Sequence, residues 1–288
     1  MDAFDPRLTP ARPDLAAAHL KGVIPAERYV EPVAARVIEA VAPLRRRPRA
    51  DAGLDTEALF GETIRVYDED DEGWSWVQLD RDGYVGFMPA HALLKGEAPP
   101  ATHRVATLAT FVYPTLGIKD PPTARLSFGS PVRVIAEREA ADGRRFCITA
   151  EGGAIVASHL EPIGTKAADP VAVAETFLGL PYLWGGRSSL GIDCSGLVQT
   201  ALFACGLPCP RDADLQEASL GEAIGLDPAL WRRGDLLFWP GHVGMVRDRE
   251  TFVHATAHTM TVVVEGLKAG LARIEASGTP LRSVRRVL

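Results

Sequence analysis

Pro181-Tyr182-Leu183-Trp184-Gly185-Gly186, followed by Gly191-Ile192-Asp193-Cys194-Ser195-Gly196-Leu197-Val198, decides how the C-terminal half is read. A Gly-rich turn leads into Asp-Cys-Ser-Gly, and an apolar, helix-like segment continues from Leu197 to Ala204. Cys194 is thereby expected at or next to a helix N-terminus. The free N–H groups and the positive dipole end found there favour a thiolate, so a thiol that ordinarily titrates near ~8.5 is expected to move well down. Glycines on both flanks keep bulk off the sulfur and let a substrate backbone approach.

A thiolate nucleophile works with a base. Gly234-Asp235-Leu236-Leu237-Phe238-Trp239 reads as a turn into a strand. Gly241-His242-Val243-Gly244-Met245-Val246 reads as a second strand, opening with His242, and Thr251-Phe252-Val253-His254-Ala255 as a third, carrying His254. Two histidines on neighbouring antiparallel strands line up beside a helix start. Cys194 is then the nucleophile, His242 its base, and His254 the group that orients His242. His258, on the same hairpin, reads as turn surface.

These blocks, in this order, resemble the NlpC-type cysteine peptidases, a papain-like family that cuts bacterial cell-wall peptides. The resemblance covers about residues 166–288 and rests on Asp-Cys-Ser-Gly, Gly-Asp-Leu-x-Phe, His-Val-Gly and a further His-Ala. The whole chain is similar to a subgroup with two SH3-like domains before the peptidase, whose members are γ-D-glutamyl-L-diamino acid endopeptidases. The fold expected is therefore multidomain: two small all-β SH3-like barrels followed by an α+β papain-like cysteine peptidase domain. The divisions are an N-terminal arm (1–34), a first barrel (35–97), a second barrel (98–164) and the peptidase domain (165–288).

The resemblance also implies a substrate site. Tyr182 would set its hydroxyl beside the nucleophile, and Asp193 with Ser195 would bind the free amino group of a murein peptide. As residues alone, Asp193 also fits a helix N-cap, and Tyr182 a core position. Asp55 and Tyr84 match an acid and a tyrosine that close the amine pocket, although the subgroup often has Glu at the first position. Asp212, in Pro210-Arg211-Asp212, is a further substrate contact or a helix cap. An oxyanion would be met by backbone N–H groups at the helix start.

The 288 residues allow two or three domains, and 47% hydrophobic with 24% charged residues is an ordinary globular balance. A net charge of −6 argues against nucleic acid or an anionic membrane as partner. Arg45-Arg46-Arg47 reads as a solvated loop. No apolar run suits a signal peptide or a membrane span, so the expected location is cytoplasmic. Cys147, Cys194, Cys205 and Cys209 form no disulfide framework. Cys205-x3-Cys209 lacks the second pair a metal site needs, so neither metal nor cofactor is expected.

Asp14 to Leu20 suggests a short helix capped by Asp14. Arg36–Val41, Thr63–Tyr67, Trp74–Leu79 and Tyr84–Phe87 alternate as strands, with an Asp82-Gly83 turn before the last. Trp74 and Trp76 read as barrel surface and barrel core. Phe60-Gly61-x-x-Ile64-Arg65-Val66 recurs 68 residues on as Phe128-Gly129-x-x-Val132-Arg133-Val134, an internal duplication. His91 and His159 fall at equivalent places and read as structural. Val171 to Leu178 is expected to be helical, and another helix begins after Arg211.

The reaction implied is attack of the Cys194 thiolate on a γ-glutamyl carbonyl, with His242 protonating the leaving amine. The partner is a murein peptide with a free N-terminus, met in recycling. The alternatives are another thiol amidase or acyltransferase, or a non-catalytic wall-peptide-binding protein.

Overall fold

The structure, a computed structural model, describes residues 4–288. It divides into two compact units, one ending at Ile163 and one spanning Gly164–Leu288.

In the first unit, β1 (Ala11–Arg12), β2 (Leu15–Ala17) and β3 (Arg28–Val30) form a small sheet. The helix expected from Asp14 to Leu20 is therefore reduced to a single 3-10 turn at Ala18–Leu20. Asp14 is drawn to the Arg12 guanidinium instead of capping, and Leu15, Ala16 and Ala17 are buried with Tyr67, Trp76 and Val85. Strand burial outweighs the helical preference of alanine here. Trp76 is buried, but against this small sheet.

Seven antiparallel strands follow: β4 (Val33–Val37), β5 (Val41–Arg45), β6 (Leu54–Leu59), β7 (Thr63–Glu69), β8 (Trp74–Leu79), β9 (Val85–Pro89) and β10 (Leu93–Lys95). Their order is β10-β4-β7-β8-β9-β5-β6. Arg36–Val41 is not one strand; Ile38–Ala40 is the bend between β4 and β5. Of the three arginines, Arg45 closes β5 and donates to the Ala52 carbonyl. Arg46 and Arg47 are exposed in the bend that follows, with Arg46 paired to Asp55.

The same pairing scheme recurs downstream through β11 (His103–Val105), β12 (Ala109–Val112), β13 (Ala124–Ser127), β14 (Pro131–Val132), β15 (Val134–Glu139), β16 (Arg145–Thr149), β17 (Ala154–Val156) and β18 (Leu160–Pro162). β11 takes β14 and β18 as β4 takes β7 and β10; β12 pairs with β13 as β5 with β6. Gly61 and Gly129, 68 positions apart, have φ of +80° and +82° and donate to the equivalent carbonyls of Val37 and Val105. A left-handed residue at that turn is what keeps glycine in both copies. His91 and His159 each lie in a single 3-10 turn before the last strand.

In the second unit, α1 (Pro170–Glu175) is capped by Asp169 and ends short of Leu178 in a turn. The tiny hairpin β19 (Arg187–Ser188) and β20 (Gly191–Ile192) precedes α2 (Cys194–Ala204), which is buried along nearly its whole length. After α3 (Ala213–Ser219) come β21 (Glu222–Ile224), β22 (Leu236–Trp239), β23 (His242–Val246), β24 (Thr251–Thr256), β25 (Thr261–Gly266), α4 (Leu267–Ala276) and β26 (Ser283–Arg286). The six strands run β21-β26-β22-β23-β24-β25, all antiparallel. α2 packs on β23 and β24, bringing the helix start and both strand histidines into one unit. Among the described residues, no helix is long and apolar enough to cross a membrane.

Candidate active site

Cys194 is the first residue of α2, and Asp193 is its N-cap. The Asp193 carboxylate is fully engaged. Its Oδ1 accepts from Gly196 N at 2.7 Å and its Oδ2 from Gly185 N at 2.8 Å. Arg211 then clamps both oxygens, Nη1 to Oδ1 at 2.9 Å and Nη2 to Oδ2 at 2.8 Å, and donates to Ser195 Oγ at 2.8 Å and to the Gly186 carbonyl at 3.2 Å. Arg211 is only 1% exposed. This buried bidentate pair locks the Gly-rich turn to the helix start. Gly196 makes the approach possible, since a Cβ there would stand 2.5 Å from the Gly186 carbonyl oxygen.

Cys194 is 6% exposed. Burial and the Asp193 carboxylate push its thiol up to about 12, against the hydrogen bonds of the Val243 and Ser195 amides at the sulfur. The direction is the reverse of the one expected from the helix start alone. Desolvation of the thiolate and a carboxylate one residue away outweigh the helix amides.

His242 opens β23 straight after the Pro240-Gly241 turn, where Gly241 has φ +71°. Its Nε2 lies 2.9 Å from Nδ1 of His254 on β24. Gly244 clears the space beneath the pair, for a Cβ there would meet the Phe252 ring at 2.9 Å and His254 Cβ at 3.4 Å. Trp239 stacks near His242, and Phe252 near His254. In this aromatic setting burial brings His242 down to about 3 and His254 down to about 4. Two buried charges side by side are unfavourable, so both imidazoles rest neutral. At rest Cys194 is then a thiol and both imidazoles are neutral.

Tyr182 is half-buried and doubly tied. Its amide donates to the Met260 carbonyl at 2.8 Å, and it bridges Ile192, just before Asp193-Cys194. Burial, with the Asp193 carboxylate nearby, keeps its hydroxyl protonated. Ser195 is buried, held by Arg211. Asp212 occupies the N-cap position of α3 but makes no capping bond with its side chain. Gln216 of α3 reaches the Ser195 carbonyl at 2.9 Å. His258 is exposed in the turn after β24.

Asp55 and Tyr84 belong to the first unit. Asp55 is paired with Arg46, and Tyr84, 4% exposed, is packed into the core cluster of the seven-stranded sheet. Sequence reasoning gave no role to two residues of the site, Arg211 and Glu265. Arg211 had been noticed only as part of Pro-Arg-Asp. Glu265 on β25 lies 3.2 Å from His254 Nε2 and carried no local signal.

Residues 179–273 match the NlpC/P60 family, and residues 44–93 match a bacterial dipeptidyl-peptidase SH3 domain. The first unit thus holds an SH3-like domain. A relative from Bacillus subtilis, named a gamma-D-glutamyl-L-lysine dipeptidyl-peptidase, is 34% identical over 66% of this chain. The match spans 65% of that relative's own length. The probable endopeptidase NlpC of Escherichia coli is 31% identical over 39% of this chain and 83% of its own. A crystal structure of an NlpC/P60 family protein from Bacillus cereus superposes with a TM-score of 0.73 over 88% of this chain and 99% of that one, at 21% identity. That likeness is one of fold.

Proposed function

The chain belongs to the NlpC/P60 family, and on that premise we propose that it is a cysteine peptidase hydrolysing the γ-D-glutamyl–diamino acid bond of murein peptides with a free N-terminus. One observation carries the reading: Cys194 heads a buried helix packed against the strand on which His242 sits, 2.9 Å from His254. Cys194 attacks the γ-glutamyl carbonyl as His242 takes its proton. His242 then protonates the leaving amine and activates the water that releases the acyl enzyme. Tyr182, protonated, is a donor for the carbonyl oxygen as it gains charge.

The name of the Bacillus subtilis relative supports a γ-D-glutamyl substrate. The recurrence of one strand-pairing scheme supports a second SH3-like barrel after the first. We assign recognition of the substrate ammonium to Asp193 and Ser195. Arg211 already donates to both, so the amine would share the remaining acceptor lone pairs of these oxygens with the guanidinium. Asp55, Tyr84 and Asp212 enter through the family resemblance, and Asp55→Asn, Tyr84→Phe and Asp212→Asn test them by the KM for free peptide. A preference for free N-termini suits released wall peptides inside the cell, and fractionation tests that location.

The deciding experiment is hydrolysis of L-Ala-γ-D-Glu-diaminopimelate and of its lysine counterpart, each beside an N-acetylated twin, with Cys194→Ala as control. Cleavage of the free peptides alone is the expected outcome. Equal cleavage of the acetylated twins removes the amine site, and no cleavage of any removes the peptidase reading.

A further inference from the structure

The relay of histidines does not end at His254. Its Nδ1 faces His242, and its Nε2 lies 3.2 Å from Glu265 Oε2 in a side chain with 0% exposure. Sheet register provides the reach. Glu265 pairs with Phe252, two residues from His254 on the same face of β24, so a long side chain spans the diagonal. α4 closes over the contact. A Cβ at Gly270 would stand 3.0 Å from Glu265 Cδ and 2.5 Å from the Phe252 ring. One turn further, Arg273 grips Glu265 through Nε at 2.8 Å and Nη2 at 2.7 Å.

A neutral imidazole carries one N–H. To take the thiol proton at Nδ1, His242 must hold its own hydrogen on Nε2. His254 must then accept at Nδ1, which puts its hydrogen on Nε2. That N–H is buried and needs an acceptor, and Glu265 is the carboxylate within reach. The contact is close but not squarely aligned, the loose kind that tightens as charge develops. Arg273 holds the Glu265 carboxyl below the usual range, so it stays ionised and accepting.

We propose that Glu265 is a positioning residue: acting through His254, it selects the His242 tautomer that leaves Nδ1 free for the Cys194 proton, with Arg273 as the clamp that keeps it in place. This rests on the cysteine peptidase reading. In the step served, the Sγ–H bond breaks and an N–H bond forms at His242 Nδ1. The sulfur electron pair attacks the carbonyl carbon, and the proton later leaves on the departing amine. Glu265 neither gains nor loses a proton; it balances the positive charge shared by the two imidazoles.

The test uses the full chain with 15N-labelled histidine and the free peptide as substrate. Imidazole nitrogen shifts should show His254 carrying its hydrogen on Nε2 in the wild type. In Glu265→Ala that hydrogen should redistribute towards Nδ1, with kcat down about 10- to 100-fold, as for other outer partners of functional histidines, and KM within about twofold. Glu265→Gln, which keeps an acceptor at the same place, should recover most of kcat. Should Glu265→Ala unfold, Arg273→Met keeps the carboxylate but frees it, and the same signature should appear at smaller size. A wild-type His254 with its hydrogen on Nδ1, or variants with unchanged kcat and unchanged shifts, overturns the proposal. A wild type that cleaves nothing while His254 still responds to Glu265→Ala sinks the peptidase reading and leaves the control of the tautomer standing.

Discussion

The two sides of the site are held by opposite means. On the helix side, Asp193 and Arg211 bury full charges and neutralise each other within a network that takes in Gly185, Gly196 and Ser195. On the strand side, His242 and His254 are buried neutral among Trp239 and Phe252, and charge appears only one shell out, at Glu265 and Arg273. Fixed charge holds the start of the helix that carries Cys194. Desolvation keeps the two imidazoles neutral.

The largest test of this contrast is Arg211→Leu. Stranding the Asp193 carboxylate in a buried site should cost about 3–5 kcal/mol, read by denaturant unfolding of the whole chain. Adding Asp193→Asn to the same chain should restore part of the loss. An Arg211→Leu chain as stable as wild type would place that pair on the same footing as the exposed ion pairs. Gly244→Ala probes the neutral side. Its methyl meets the Phe252 ring, so an overpacking cost of about 1–3 kcal/mol is expected, together with a lower kcat as His254 shifts. Unchanged kcat would show that the histidine pair tolerates slack.

The gentlest test is pH. His254 is lowered from its usual value to about 4 by burial. Between pH ~6.5 and that value the unfolded chain binds a proton that the folded chain refuses. Stability from this group is complete above ~6.5 and falls as the pH drops through the window, by roughly 1.4 kcal/mol per pH unit. Cys194 has the opposite sign. Its thiol is raised, so above ~8.5 the unfolded chain loses a proton that the folded chain keeps, and stability falls with rising pH. Thermal melts of wild type, His254→Asn and Cys194→Ala between pH 4 and 10 separate the two arms; identical profiles would dissolve the contrast.

Cys194, His242 and His254 could be singled out because each sits in a short motif, at the start of α2, at the start of β23 and within β24. Arg211 and Glu265 were not, because their partners lie 18 and 11 positions away and meet them only through tertiary packing. The direction of the thiol shift was hidden for a related reason. A helix start can be read from sequence, whereas the burial that overrides it belongs to the assembled unit. In the first unit, the recurring turn was visible through Phe60-Gly61 and Phe128-Gly129. The mistaken helix at Asp14 came from reading a capping residue without the arginine two positions before it, and without the apolar face that claims Leu15 to Ala17.

β26 lies between β21 and β22 in the sheet, pairing residues 283–286 with strands some sixty and forty-seven positions earlier. The meander from β22 to β25, which carries both histidines, is assembled from near neighbours. During synthesis the histidine hairpins and the helix bearing the thiol therefore emerge before the strand that completes their sheet. Arg286, which fastens Asp235 at the foot of β22, belongs to that later strand. Joining so distant a strand is a slow step, so the nascent unit carries Cys194, His242 and His254 before its frame is finished.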